Sequence, residues 1–160
     1  MCLVTLLHSP VWAAWTVKRV YNQTGSFERC VVESPTAPVS DGYQETQVTL
    51  IVHTDAILAK TKAPLDDSFG DIGLQVEKHD LIKMDQVVEE SSVLFTTSYK
   101  QILGQLQQEP VPVKKGRKPA STTVRVQLRF WPTWPVTGTH AVEFSLEGFS
   151  KAYAEMVTCK

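Results

Sequence analysis

The sequence predicts an all-β protein, an antiparallel β-sandwich with one or two short helices, and three observations carry that expectation. From Trp15 onward apolar residues recur mostly at every second position, in runs rich in Val and aromatic side chains. Stretches of Gly, Pro, Asn, Asp and Ser separate those runs at regular spacing. One segment alone shows clear helical spacing, so two packed sheets are expected rather than alternating strands and helices.

Taken in order, WTVKRVY (15–21), ERCVVES (28–34) and TQVTLIVHT (46–54) read as strands, with NQTGS and PTAPVSDG between them as turns. AILAKTKAP is a further strand ended by Pro64, and LDDSFGD is a polar connection. The stretch from Ile72 to Thr97 holds two or three more strands, with His79 and Asp80 turning between the first two. Tyr99, Ile102, Leu103 and Leu106 then recur at helical spacing until Pro110 stops the pattern. Gly104 weakens that helix by about 1 kcal/mol relative to Ala, so two turns are expected. PVPVKKGRKPAS reads as an exposed basic loop. TTVRVQLRFW alternates, with Val124, Val126, Leu128 and Phe130 on the core side and Arg125, Gln127 and Arg129 opposite. THAVEFSLEGF alternates again through Val142, Phe144 and Leu146, with His140 on the same side, and KAYAEMV closes the chain as a helical turn.

The 160 residues suit one domain, 15–160, preceded by a leader. Sixteen Lys and Arg against 17 Asp and Glu leave the chain nearly neutral, so its total charge gives no reason to expect nucleic acid as a partner. Residues 1–14, MCLVTLLHSPVWAA, are uncharged and apolar before small residues, as in the apolar core and cleavage site of a secretory signal. Cleavage after Ala13 places Val11 and Ala13 at the two pocket positions. The missing positive n-region implies a true start further upstream. Removal of the leader takes Cys2 and leaves Cys30 and Cys159, either a disulfide or two separate buried thiols.

No motif assigns a catalytic residue. There is no G-x-S-x-G elbow, Ser145 points outward by alternation, and the doublets at Asp66, Asp67 and at Glu89, Glu90 face opposite ways if extended. His53 and Asp55 share one face of a strand but lack a third ligand, so no metal is expected, and no cofactor motif occurs. Two features suit binding. Lys114, Lys115, Arg117 and Lys118 form a basic loop fit for a phosphorylated polymer or an acidic partner. RFWPTWPVTG holds Trp131 and Trp134 between prolines that cannot donate to a ladder, which makes the segment an edge or a bend. The two tryptophans either cap the core at its rim, or are exposed to stack on a sugar or anchor a partner, or divide between the two, and alternation sends Trp131 outward unless the strand bulges.

Trp15-Thr16-Val17, Cys30-Val31, GLQVE followed by Met84-Asp85, the short helix and the closing Ser145-Leu146-Glu147-Gly148-Phe149-Ser150-Lys151-Ala152 resemble the invasion-associated locus B family of bacterial envelope proteins. Family members carry further cysteines, one after the first tryptophan and a pair before the helix, where this chain has none. The resemblance implies a periplasmic or secreted β-sandwich without known catalysis, peripheral to the membrane at most, that binds an envelope component or a partner protein. A carbohydrate-binding module using Trp131 and Trp134, and a hydrolase with an unrecognised site, are the alternatives.

Overall fold

The structure is a computed structural model that describes residues 14–108, 122–132 and 138–160. Eleven strands in two antiparallel sheets and two short helices make up the described residues, the sandwich that the alternation predicts. The leader expectation falls on residues 1–13, outside the described residues, apart from Ala14.

The larger sheet runs β1 (Thr16–Tyr21), β2 (Phe27–Glu33), β4 (Glu45–Val52), β5 (Ile57–Thr61), β9 (Ser92–Phe95) and β8 (Gln86–Val88). β3 (Ala37–Ser40) is its seventh strand and pairs only with β4. β2 and β3 share one edge of β4: Val32 faces Val52, whereas Ala37 faces Val48 further along. Ser34 bridges the break, its N–H donating to the Leu50 carbonyl and its hydroxyl accepting from the Leu50 N–H. The smaller sheet is ordered β11 (His140–Ser145), β10 (Thr123–Leu128), β6 (Gly73–Val76) and β7 (Ile82–Lys83).

Alternation decides the core. Val48, Leu50, Val52, Ile57, Ala59, Val93 and Phe95 face Leu74, Val76, Val124, Val126, Leu128, Val142 and Phe144 across the sandwich, all buried. α1 (Tyr99–Leu106) joins the core through Tyr99, Ile102 and Leu106, and α2 (Phe149–Thr158) through Phe149, Ala152 and Met156, the Tyr99 and Tyr153 hydroxyls meeting at 3.1 Å. The Trp15 indole meets the Phe149 ring edge-on at 4.9 Å and donates to the Ser145 carbonyl at 2.8 Å. Cys30 on β2 and Cys159 after α2 form a disulfide, with Cα atoms 6.2 Å apart across 129 positions.

Four local expectations are corrected. PTAPVSDG contains β3 rather than a turn alone; Pro38 is tolerated because β3 lies beside a single partner in its sheet. The segment from Ile72 to Thr97 holds four strands, because very short β7 and β8 fill the edges of separate sheets. His53 and Asp55 belong to the turn joining β4 to β5, closed by the His53 N–H on the Ala56 carbonyl, and not to a strand. Phe149 opens α2 instead of ending a strand, and α2 runs ten residues rather than one turn. Its left-handed lead-in at Gly148, φ 81°, is open to glycine and strained for other residues.

Both edges of the larger sheet are blunted against further pairing. β1 carries Lys18 and Arg19 with an irregularity between Val20 and Tyr21. β8 is three residues long and runs into Glu89 and Glu90, both left-handed.

Candidate functional site

The site builds outward from the end of β10. Beyond Leu128 the chain keeps its extended course, because Phe130 bridges to Leu65, the Asp66 N–H donates to the Arg129 carbonyl and the Trp131 N–H donates to the Pro64 carbonyl, both at 2.9 Å. Period-two alternation therefore continues through Trp131. Phe130 is 3% exposed and leans on the His140 ring, whereas Trp131 is 62% exposed. A cis peptide joins Trp131 to Pro132.

On the outer side, Arg129 is held from several directions. Its Nε donates to both carboxylate oxygens of Asp71 at 3.1 Å, and its Nη2 donates to Oδ2 of the same group. The Phe69 ring lies over the guanidinium, 4.2 Å from Cζ to the ring centroid, and is itself 57% exposed. The LDDSFGD connection is thus folded back onto β10. Gln127 Nε2 donates to the Asp71 carbonyl at 2.7 Å, Asp66 is buried and accepts from the Ser68 N–H and hydroxyl, and Gly70 turns the loop in a left-handed conformation. The Arg129 hydrogen bonds hold the Asp71 carboxyl below its ordinary range, with burial opposing them. Asp71 in return raises Arg129. The guanidinium is committed to this pair and to Phe69. Trp131 and Phe69 are both exposed at this end of β10.

Of the binding residues expected from sequence, Trp131 stands at this corner. Trp134, Lys114, Lys115, Arg117 and Lys118 lie outside the described residues. Thr122, the described residue that follows the basic loop, adjoins the opposite end of β10 from Arg129. Six residues of strand separate those ends, roughly 20 Å at about 3.3 Å per residue. Phe69 and Asp71 were not singled out from sequence. The available signal was a lone aromatic among acids in LDDSFGD, together with Arg129 two positions before Trp131 on one side of an alternating run.

A concavity of about 620 Å³ lies elsewhere, on the outer face of the larger sheet. Ile51, Leu58 and Leu94 stand in register across β4, β5 and β9 to form an apolar row there. Lys18 closes one side and pairs with Glu33 at 2.6 Å. His53 lines it half-buried, its pKa lowered by burial first and by Arg29 second, with Asp55 opposing.

Among the described residues, no three His, Cys, Asp or Glu side chains converge as a metal-binding group. Comparison of the chain with known protein families, with curated proteins and with solved structures finds no match.

Proposed function

We propose that this chain is an exported bacterial envelope protein that acts by binding an envelope component or a partner protein, with the Trp131 corner as its contact surface. The observation that carries this reading is a large aromatic ring left 62% exposed on a backbone pinned to Pro64, two positions along the strand end from Arg129, whose guanidinium carries the exposed Phe69 ring. A contact residue on a fixed backbone loses less backbone freedom on binding than one on a mobile loop, which favours its use as an anchor. The Cys30–Cys159 bridge supports export, since such bonds persist in oxidising compartments. The leader-like first residues and the resemblance to the invasion-associated locus B family point the same way.

The test is fractionation of bacteria that express the full chain from its native gene context. The protein should leave the cytoplasm and sediment with the envelope, and Trp131→Ala should release it to the soluble fraction with its melting temperature unchanged. Cytoplasmic retention, or sedimentation indifferent to Trp131→Ala, would overturn the proposal.

A further inference from the structure

We infer that the concavity on the outer face of the larger sheet binds a single acyl chain ending in a carboxylate, as in a free long-chain fatty acid, with the headgroup at Lys60 and Ser92. This site is separate from the Trp131 corner and does not depend on it.

The strand register lays out the concavity. Lys18 faces Val31, Glu33 faces Ile51 and Ile51 faces Leu58, so Val20, Val31, Ile51 and Leu58 follow one another diagonally across β1, β2, β4 and β5 on this face. Two positions beyond Leu58 the line meets Lys60, which faces Ser92 on β9. From β1 to β9 the strands span roughly 19 Å at about 4.8 Å per neighbour. The concavity is therefore a trough, apolar along its floor and polar at one end.

That polar end suits an anion. Ser92 is 4% exposed and lines the trough, yet its hydroxyl enters none of the side-chain hydrogen bonds among the described residues. A hydroxyl so deeply placed ordinarily has a partner. Lys60, directly across the ladder, is exposed and makes no ion pair among the described residues. Two further cations of the lining are engaged, Lys18 with Glu33 and Arg19 over the Phe27 ring. An ammonium and a hydroxyl side by side offer donors to the two oxygens of a carboxylate. Glu89 lines the same end, beside Val88, which faces Ser92. It repels a phosphate monoester, with up to two negative charges, more strongly than a carboxylate with one.

The floor selects the rest of the ligand. A peptide laid across it would press backbone N–H and C=O groups against valine, isoleucine and leucine side chains and leave them without partners. A sugar would lose water from its hydroxyls in the same way. An acyl chain has no such groups and gains by leaving water. The volume of about 620 Å³ lies within the range of small-molecule sites.

The test titrates octanoate, decanoate and dodecanoate, below their micelle concentrations, into the full chain ¹³C-labelled at its Ile, Leu and Val methyl groups. The Val31, Ile51 and Leu58 resonances should shift, and affinity should rise by up to about fourfold for each added methylene. Ser92→Ala should weaken dodecanoate about tenfold and leave the melting temperature unchanged, since no hydrogen bond within the protein is lost. Lys60→Gln should weaken it about three- to fivefold at low salt, less at high salt, and leave binding of dodecanol unaffected. Leu58→Gln should weaken every chain length. Dodecyl phosphate and dodecyltrimethylammonium should both bind more weakly than dodecanoate. Unmoved Val31, Ile51 and Leu58 resonances, or dodecanoate binding indifferent to both Ser92→Ala and Lys60→Gln, overturn the inference. Tighter binding of the phosphate or of the ammonium overturns the carboxylate headgroup.

Discussion

One Oδ2 oxygen of Asp85 collects the backbone N–H groups of Thr96 and Thr97 and the Thr96 hydroxyl, stapling the β7–β8 connection to the approach of α1. The Thr96 N–H contributes most and the Thr97 N–H next, and together they bring the carboxyl down from 3.8 to about 2. Because the folded pKa lies below the unfolded one, the stabilisation is complete above pH 3.8 and is lost as pH falls through about 2. Asp85→Asn should therefore cost about 1 kcal/mol near neutrality, the low end for hydrogen bonds to an exposed carboxylate, and progressively less toward pH 2. Thermal melts of both proteins between pH 7 and pH 2 provide the check, and a gap that stays constant with pH would refute the assignment. At this scale the sequence was informative where alternation governs, as for Phe130 inward and Trp131 outward. It was silent on Asp85, whose partners lie 11 and 12 positions away and are brought to it only when β8 and β9 pair.

Among the elements, the turn between β8 and β9 is unusual in placing Glu89 and Glu90 at φ 51° and 59°, where side chains with a Cβ are crowded. The turn is retained because the Glu90 carbonyl accepts from the Leu65 N–H at 2.8 Å, tying it to the chain that follows β5. Glu90→Gly keeps that carbonyl and relieves the crowding, so stability should rise by up to about 1 kcal/mol. The matching change at Glu77, φ 51°, should not stabilise, since its Oε1 accepts the Thr123 N–H at 2.6 Å and the variant loses that bond. Urea unfolding of the two variants tests the contrast; a gain at both positions would count against it. α2 shows why elements were misjudged from sequence. Reading FSLEGF as one alternating run carried the strand to Phe149, yet Phe149, Ala152 and Met156 sit at helical spacing and are buried together. Gly148 marks the change of period, visible in the sequence but equally readable as a mid-strand glycine.

Across the whole molecule, the Cys30–Cys159 bridge ties α2 to the second strand and closes nearly the entire described chain into one loop. In the chain-entropy account, closing a loop this long stabilises by roughly 4 to 5 kcal/mol through the unfolded state. Replacing both cysteines by Ser, or adding dithiothreitol, should lower the melting temperature by roughly 10 °C or more at the scale of 2–4 °C per kcal/mol. An unchanged melt under reducing conditions would mean the bridge contributes little. The same bridge separates two kinds of information. By itself the sequence determined the fold class, the buried faces of β10 and β11 and the outward course of Trp131, because period and proline act within a few residues of themselves. Only the tertiary structure decided that Cys30 meets Cys159, that β2 and β3 share one edge of β4, and that Phe69 and Asp71 close over Arg129. Arg129 and Asp71 are 58 positions apart, and no local pattern encodes a contact that arises only when β10 pairs with β6 and draws the loop before β6 onto its end.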